Sequence, residues 1–246
     1  MKLKKNERID DLEFEDLKII QNIDGFCFGI DSVLISDFAK NIRKNSVVVD
    51  LGTGTGIISI LLSKKTLAKK IYGVEIQKEV CEMAKRSVLL NNLQDKIEII
   101  NEDIKEISEK LGIQMCDAVV TNPPYKKYGT GLLNEKESKI ISRHEKECTL
   151  EDVIKQSFKI LKDKGSFYMV HRPDRLVDII FLMRKYKIEP KELRIVYSNM
   201  TSKAVLILIK GIKNAGEELK LINPLYIYNE DGTYTDEILR IYNKKV

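Results

Sequence analysis

The sequence predicts an α/β fold in which helices cover both faces of a doubly wound, mostly parallel sheet. From residue 47 onward, short apolar runs with strand character alternate with longer segments whose apolar residues recur at helical spacing. The last two strand segments are joined by a short polar connection, which favours an antiparallel pair. These observations predict a seven-stranded, mostly parallel sheet with an antiparallel strand at the end.

Seven short apolar runs are interpreted as the strands of this sheet. They cover residues 47–51, 71–75, 97–101, 116–121, 165–170, 193–197 and 204–209. Four intervening segments are interpreted as helices and cover residues 57–64, 79–91, 150–161 and 173–186. In the second helix, Val80, Ala84 and Val88 recur every four residues and form one apolar face. In the fourth helix, Pro173 occupies a first-turn position that proline tolerates.

The segments outside this alternation are predicted from their capping and turn residues. Before the first strand, Asp31 or Ser32 is expected to cap a helix that runs to about residue 42. After the last strand, residues 229–232 predict a hairpin turn and residues 235–242 a closing helix. Residues 126–149 form the longest irregular stretch, which is typical of a functional or mobile loop.

Composition and cysteine spacing exclude several classes of protein. The 246 residues are 43% hydrophobic and 32% charged, as in a soluble globular domain with a sizeable core. No apolar run is long enough to cross a bilayer, and none follows the basic N-terminus as a signal peptide requires. The four cysteines form no CxxC pair and are accompanied by only two histidines. We therefore expect a cytoplasmic protein with free thiols, no membrane segment and no metal site.

A glycine-rich turn follows the first strand, at the sheet edge where ligands of open α/β folds bind. It contains Gly52, Gly54 and Gly56, but residue 57 is isoleucine, so the sixth position of a dinucleotide fingerprint lacks its glycine. The P-loop pattern is also absent. The turn therefore lets a ligand approach the backbone without the arrangement that holds a pyrophosphate. Asp50 at this edge would repel phosphate and suits an amine-bearing ligand.

Two further carboxylates stand at the ends of the next two strands. Glu75 closes the second strand, where it is suited to accept hydrogen bonds from ribose hydroxyls. Asp103 follows the third strand, where it could accept from an adenine amino group. Either residue alone would more often be a helix cap or a surface charge. Three carboxylates at successive strand ends, beside a glycine turn, are hard to assign to chance.

Residues 121–125 (Thr-Asn-Pro-Pro-Tyr) follow the fourth strand and present hydrogen-bond acceptors. Pro123 and Pro124 have no N–H, and a residue that precedes proline is pushed into an extended conformation. The Asn122 side chain adds a carbonyl acceptor, and Tyr125 adds an aromatic plane on which a base could stack. This corner suits a planar amino group, which has two hydrogens to donate. A plain strand-ending turn is the alternative interpretation.

The net charge of +5 is modest, and its distribution is more informative than its size. Lys126, Lys127 and Arg143 belong to a basic cluster after the Asn-Pro-Pro-Tyr segment, and Arg172 begins a second cluster that acidic residues partly balance. Each cluster alone is typical of a solvated face. Beside a pocket that suits a base, these four residues become candidates for binding a polyanion.

Together these motifs resemble those of class I S-adenosylmethionine-dependent methyltransferases. The Asn-Pro-Pro-Tyr version resembles the branch that methylates exocyclic or amide nitrogens. Further segments are similar to the bacterial valine-tRNA adenine-N6 methyltransferases, so the likeness spans nearly the whole chain. These segments are residues 7–12, 19–21, 26–34, 142–145, 170–173 and 224–228.

The resemblance implies S-adenosyl-L-methionine as the methyl donor and the N6 of an adenosine in tRNA, position 37 of a valine tRNA in the family, as the acceptor. It implies that the donor lies over the glycine turn, with its ribose on Glu75 and its adenine near Asp103. Phe28 and Asp31 are expected to close over the methionine end, with core packing as the alternative for Phe28. The cofactor site predicted in this way comprises Phe28, Asp31, Asp50, Gly52, Gly54, Gly56, Glu75, Asp103 and Asn122.

The family mechanism gives the Asn-Pro-Pro-Tyr residues their roles. Asn122 and the Pro123 carbonyl would accept the two N6 hydrogens of a flipped adenosine, and Tyr125 would stack on the base. His144 and His171 are interpreted as structural residues. A single domain over residues 1–246 is expected, with an extension (1–45) on the cofactor side, a catalytic core (46–210) and a C-terminal hairpin and helix (211–246).

Three alternatives stay open at this stage. A release-factor glutamine methyltransferase also uses Asn-Pro-Pro-Tyr, but such enzymes usually carry a helical N-terminal domain, and only residues 1–46 precede the first core strand. A DNA or ribosomal-RNA amino-methyltransferase is the second, although no segment is large enough for a dedicated sequence-reading domain. An RNA-binding protein without turnover is the third, and the intact Asp50, Glu75 and Asn122 argue against it.

Overall fold

The computed structural model describes residues 3–23, 29–124 and 148–244. The described strands are β1 (Glu7–Asp11), β2 (Lys18–Asn22), β3 (Val47–Leu51), β4 (Lys70–Glu75), β5 (Ile97–Asn101), β6 (Cys116–Thr121), β7 (Leu161–His171), β8 (Ile188–Tyr197), β9 (Ala204–Lys213) and β10 (Lys220–Tyr226). The described α-helices are α1 (Ile30–Phe38), α2 (Ile57–Lys65), α3 (Lys78–Leu90), α4 (Ile107–Leu111), α5 (Leu150–Ile160), α6 (Leu176–Lys185) and α7 (Asp236–Ile241). Single 3₁₀ turns cover Ile104–Glu106 and Pro173–Arg175.

The central sheet has eight strands in the order β10-β8-β9-β7-β6-β3-β4-β5. Strand β9 runs antiparallel to both of its neighbours, and every other pairing in the sheet is parallel. The predicted doubly wound, mostly parallel sheet is therefore confirmed, as is the antiparallel pairing of the last two predicted strands. Strand β9 lies between β7 and β8, and not at the edge of the sheet.

Strand β10 is an eighth strand that the sequence pattern did not predict. It pairs parallel with β8 at the sheet edge, and its register shifts between Ile222 and Leu225. Most of its side chains are exposed, and Pro224 interrupts it. An edge strand tolerates proline and needs no buried apolar face, so it leaves little periodic signal in the sequence.

The start of α1 differs from the prediction. Gly29 is the N-cap residue, and no side chain caps the helix. Asp31 and Ser32 instead lie inside the first turn and are buried. The expectation that one of them caps α1 is wrong, because the Asp31 carboxylate faces a more distant partner described below. The helix also ends at Phe38, earlier than residue 42.

Helices cover both faces of the sheet, as the alternating pattern predicted. On one face, the buried side chains of α1, α2, α3 and α7 form a single apolar cluster with the N-terminal hairpin, and its members include Leu12, Leu34, Leu61, Ala84 and Ile238. On the other face, α4, α5 and α6 form a second cluster around Ile107, Ile154 and Ile179. No helix in the described ranges is long and apolar enough to cross a membrane.

The N-terminal hairpin of β1 and β2 is fastened to α3. Arg86 donates two hydrogen bonds to the Glu7 carboxylate, with nitrogen–oxygen distances of 2.6 and 2.7 Å. These bonds lower the pKa of Glu7 to about 2. The Ile20 N–H donates to Ser87 Oγ at 3.0 Å. Residues that precede the first core strand are therefore an integral layer of the fold.

The C-terminal residues return to the same face through aromatic contacts and one buried ammonium. The rings of Tyr228 and Tyr234 stack with centroids 5.3 Å apart, and Tyr234 stacks on Tyr242 at 6.0 Å. Lys65 Nζ donates to the carbonyl oxygen of Ile241 at 2.6 Å. These contacts hold α7 against the helices that precede and follow the first core strand.

Candidate active site

The parallel register gathers the predicted site residues at one edge of the sheet. Leu51, the last residue of β3, lies opposite Val74 of β4 and Thr121 of β6. Glu75, the last residue of β4, lies opposite Asn101 of β5. The turns that follow these four strands therefore open at the same carboxyl edge, which is where doubly wound folds bind their ligands.

The three glycines after β3 have different surroundings. All have positive φ, with values of 75° for Gly52, 56° for Gly54 and 92° for Gly56. A Cβ atom on Gly52 or Gly54 would meet no atom within 4 Å, so these two residues border open space. A Cβ on Gly56 would lie 3.5 Å from Ala84 Cβ, so this glycine borders the helix packing. A ligand can thus approach the backbone at the first two positions.

Asp50 is fully buried beneath this turn. Its Oδ2 accepts hydrogen bonds from Thr53 Oγ1 at 2.5 Å, Ser59 Oγ at 2.8 Å and the Ser59 N–H at 3.1 Å. Its Oδ1 has no hydrogen-bond partner among the described residues. Burial raises the pKa of Asp50 to about 6, although the bonds from Thr53 and Ser59 lower it. An orphaned buried acceptor suits a ligand that carries a donor or a positive charge.

Sequence reasoning missed Gly73, which makes the Asp50 cluster possible. Gly73 lies opposite Asp50 in the β3–β4 register. A Cβ at this position would lie 2.9 Å from Thr53 Oγ1 and 3.1 Å from Ser59 Oγ, closer than ordinary contacts. A glycine inside an apolar strand pattern was the signal available in the sequence, because it often marks a close approach of neighbouring groups.

Glu75 joins the end of β4 to the glycine turn. Its Oε2 accepts from the Gly54 N–H at 3.1 Å, and its Oε1 accepts from the Gln77 N–H at 2.8 Å. The residue is buried, and each carboxylate oxygen can accept a further hydrogen bond. Asn101, also missed from sequence, donates through Nδ2 to the carbonyl oxygens of Glu75 and Ile76 at 2.8 and 2.9 Å. Glu75 is therefore held on both its side chain and its backbone.

Asp103 caps the 3₁₀ turn that follows β5. Its Oδ1 accepts from the Lys105 N–H at 2.8 Å, and its Oδ2 lies 3.4 Å from Lys105 Nζ. The side chain is partly exposed at the same carboxyl edge as Glu75. Asp103 is therefore a cap, which is one of the interpretations that the sequence left open. Its carboxylate can still accept a hydrogen bond from another donor.

Asn122 and Asp31 meet at the end of β6. Asn122 Nδ2 donates to Asp31 Oδ2 at 3.1 Å, which joins residues 91 positions apart. Thr121 Oγ1 donates to the Leu51 carbonyl at 2.9 Å and ties the same strand end to β3. Pro123 is buried and Pro124 is exposed. Because a carboxylate only accepts hydrogen bonds, Asp31 selects the NH₂ end of the Asn122 amide, and the amide carbonyl is directed away from Asp31.

Several predicted residues lie outside the described part of the chain. These are Phe28, Tyr125, Lys126, Lys127, Arg143 and His144. Arg172 is described, and its side chain is half exposed, with Nε 3.3 Å from Asp174 Oδ1. It follows β7, whose carboxyl end lies at the edge that carries Asn122.

His171 is buried at the end of β7 and has the structural character that the sequence suggested. Its Nδ1 accepts from the Arg172 N–H at 2.8 Å. Burial lowers the pKa of His171 to about 4, so the imidazole is neutral near pH 7. Among the described residues, no group of three or more His, Cys, Asp or Glu side chains could hold a metal ion.

Relatives from two organisms match most of this chain. A tRNA1(Val) (adenine(37)-N6)-methyltransferase of Porphyromonas gingivalis is 26% identical over 220 residues, which are 87% of this chain and 86% of the relative. The enzyme of the same name from Flavobacterium johnsoniae is 22% identical and covers 92% and 95% of the two chains. The family resemblance seen in the sequence is thereby confirmed.

Solved structures share the fold. A predicted O-methyltransferase from Agrobacterium tumefaciens superposes with a TM-score of 0.70 at 21% identity, over 87% of this chain and 95% of that one. The tRNA m1G37 methyltransferase of M. jannaschii gives a TM-score of 0.59 at 21% identity, over 87% and 57%.

A protein-family model matches the central part of this chain. The model described as the methyltransferase small domain matches residues 29–185, which is more than half of the chain and includes the glycine turn, Glu75 and Asn122. The chain belongs to the methyltransferase small domain family, and it is a class I methyltransferase whose methyl donor is S-adenosyl-L-methionine.

Proposed function

We propose that this enzyme transfers the methyl group of S-adenosyl-L-methionine to the N6 amine of an adenosine in tRNA. The observation that carries the proposal is the hydrogen bond from Asn122 Nδ2 to Asp31, because it directs the amide carbonyl away from Asp31 as an acceptor. An exocyclic amine has two hydrogens to donate, so an acceptor at the end of β6 matches it.

The cofactor would be held by groups that the fold already brings together. Gly52 and Gly54 border open space, so their backbone can lie against the donor. Glu75 can accept from the ribose hydroxyls, and Asp103 from the adenine amino group. Asp50, with one buried oxygen that lacks a partner among the described residues, suits a donor-bearing or cationic group. When bound, the cofactor supplies an electrophilic methyl group on a sulfonium.

The protein's contribution to the reaction is alignment of the amine. Asn122 and the Pro123 carbonyl would accept the two N6 hydrogens, which turns the nitrogen lone pair toward the methyl carbon. The nitrogen would form the new N–C bond as the C–S bond breaks with its electron pair left on sulfur, and the methylated nitrogen would lose one proton to water. No covalent intermediate with the protein is needed, so rate enhancement comes from positioning and from acceptors that support the developing positive charge.

RNA binding in this proposal uses a flipped base and a basic surface. The target base would have to be flipped into the pocket, with Tyr125 as its stacking partner. Arg172 follows β7 with an exposed side chain, and Lys126, Lys127 and Arg143 belong to the basic segment after the motif. These residues are proposed to contact phosphates. The relatives are named for adenine 37 of tRNA1(Val), which makes that nucleotide the first candidate. We propose that the reaction takes place in the cytoplasm.

A carboxamide is the competing acceptor, because a glutamine side chain also presents an NH₂ group to Asn122. Two measurements separate the substrates. Purified enzyme with labelled S-adenosyl-L-methionine should label a valine tRNA transcript and not a release factor. Nucleoside mass spectrometry of a deletion strain, mapped to individual tRNAs, should lose one N6-methyladenosine. Label on the release factor, with tRNA modification unchanged in the strain, would contradict the proposal.

A further inference from the structure

We propose that Asp31 is a positioning residue that fixes the polarity of the Asn122 amide and thereby makes the site select an amine over a carbonyl on the target base. The inference rests on the proposed function, because it concerns how the adenosine amine is recognised. The Asp31 carboxylate accepts a hydrogen bond from Asn122 and acts on the base only through that residue.

The need for such a residue follows from the symmetry of an amide. Rotation of an asparagine amide by half a turn exchanges its carbonyl oxygen and its NH₂ group with almost no change of shape. One orientation of Asn122 would accept from an amine, and the other would donate to a carbonyl. Asp31 Oδ2 removes this ambiguity, since a carboxylate 3.1 Å from Nδ2 can only accept.

Asp31 is itself held in place by its neighbours. It is buried in the first turn of α1, and its Oδ1 accepts from the Ser32 N–H at 3.1 Å. Gly29 leaves the space that the carboxylate needs, because a Cβ on Gly29 would lie 2.6 Å from Asp31 Oδ1. Ser32 and Asn122 therefore each donate to a different oxygen of the carboxylate, and α1 itself packs on α2 and β7.

The orientation of the Asn122 amide should determine which group the site accepts at position 6 of the purine. Adenine carries an amine there, and hypoxanthine carries a carbonyl oxygen at the same place. An amide carbonyl directed at this position attracts the amine and repels the oxygen, so inosine should be rejected. Without Asp31, both orientations of the Asn122 amide are allowed. The preference for adenosine over inosine should then be smaller. The Pro123 carbonyl does not depend on Asp31, so part of the preference should survive.

The test compares three variants with a control just after the same helix. Asp31→Ala removes the acceptor, Asp31→Asn supplies a side-chain carbonyl in its place, and Gly29→Ala displaces the carboxylate. Lys40→Gln is the control, because Lys40 has an exposed side chain and its N–H donates to the Asp37 carbonyl in the last turn of α1. Each protein is checked for cooperative thermal unfolding. The readouts are kcat at saturating S-adenosyl-L-methionine, the Kd of the cofactor, the Kd of the adenosine RNA, and the inhibition constant of the same RNA with inosine at the target.

For Asp31→Ala we expect kcat to fall by about 10- to 100-fold, the loss of one hydrogen bond to a charged group, with the cofactor Kd within about twofold. The inosine RNA should bind about tenfold better relative to the adenosine RNA. Gly29→Ala should also lower kcat and improve binding of the inosine RNA relative to the adenosine RNA. Asp31→Asn should recover part of kcat, and Lys40→Gln should match the wild type.

Two results would overturn the inference without touching the proposed function. One is a wild-type kcat in Asp31→Ala together with a weakened cofactor Kd, which would make Asp31 a cofactor residue only. The other is an unchanged ratio of adenosine to inosine binding. Absence of methyl transfer to any adenosine RNA by the wild-type enzyme would instead overturn the proposed function, and this inference with it.

Discussion

The Glu75 carboxylate and the Gly54 backbone are joined across the edge of the sheet, with Glu75 Oε2 accepting from the Gly54 N–H at 3.1 Å. The bond holds the middle of the glycine turn against the end of β4. In the proposed cofactor site, the same side chain would both shape the turn and accept hydrogen bonds from the ribose hydroxyls.

Replacement of Glu75 by alanine should therefore weaken cofactor binding strongly. It removes the proposed acceptor for the ribose hydroxyls and leaves the Gly54 N–H without its carboxylate partner. We expect the Kd of S-adenosyl-L-methionine to rise by about 10- to 100-fold, which corresponds to one or two hydrogen bonds to a charged group. Isothermal titration gives the measurement. Glu98→Ala is the matched control, since Glu98 pairs with Lys70 on the neighbouring strands. A Kd within twofold of wild type would remove Glu75 from the binding site.

Asn122→Ala should separate chemistry from cofactor binding. The variant lacks the carbonyl that is proposed to support the amine as it becomes positively charged. Removal of one such group typically costs about 100- to 1,000-fold in kcat. The cofactor Kd should change little, because the strand ends and the glycine turn remain. Asn223→Ala, at an exposed position on β10, provides the control. Near-normal turnover of the RNA by Asn122→Ala would rule out the acceptor model.

The buried Asp50 should give the cofactor-free protein a pH-dependent stability. Its pKa is raised from 3.8 to about 6 in the folded state, so the folded protein binds this proton more tightly than the unfolded chain does. The associated stability is fully present below about pH 4 and is lost as pH rises through about 6.

Asp50→Asn cannot titrate, and this gives a differential measurement. As pH rises from about 4 to about 7, the unfolding free energy of wild type should fall by about 3 kcal/mol relative to that of the variant. Urea titrations without S-adenosyl-L-methionine at several pH values would measure it. Parallel stability curves for the two proteins would show that the Asp50 pKa is not raised by folding.

Gly73→Ala should disturb the residues that hold Asp50. The new Cβ would lie 2.7 Å from Ile99 Cδ1 and 2.9 Å from Thr53 Oγ1, so these groups must move. Overpacking of this kind typically costs about 1–3 kcal/mol, and the cofactor Kd should also rise. Gly216→Ala is the control, because a Cβ there would meet no atom within 4 Å. Equal denaturation midpoints for the two variants would contradict this account.

Local patterns were enough to predict the centre of the fold. Strands β3 to β6 are short apolar runs, and the glycine turn is recognisable because only glycine adopts positive φ there without strain. The carboxylates of Asp50 and Glu75 could be placed at one edge, since consecutive parallel strands end on the same side. Each of these inferences needs only a few neighbouring residues.

The features that were missed depend on contacts between distant segments. Nothing near Asp31 in the sequence indicates that its partner is Asn122, so the pattern favoured a helix cap instead. The hairpin of β1 and β2 depends on α3, whose Arg86 binds Glu7. Strand β10 depends on the free edge of β8. Apolar periodicity reports burial against a core, and it says little about which polar groups will meet.

Lys65 contacts three segments that are far apart in the sequence. Its side chain is 5% exposed, and its ammonium bonds the Ile241 carbonyl, pairs with Asp37 and lies 4.2 Å from the Phe14 ring centroid. The N-terminal segment, α1 and α7 should therefore open in one step, with equal opening free energies in amide hydrogen exchange. Since α1 carries Asp31, melting of the last helix would loosen the amine site from a distance. We therefore expect catalytic activity to depend on the local stability of the C-terminal helix.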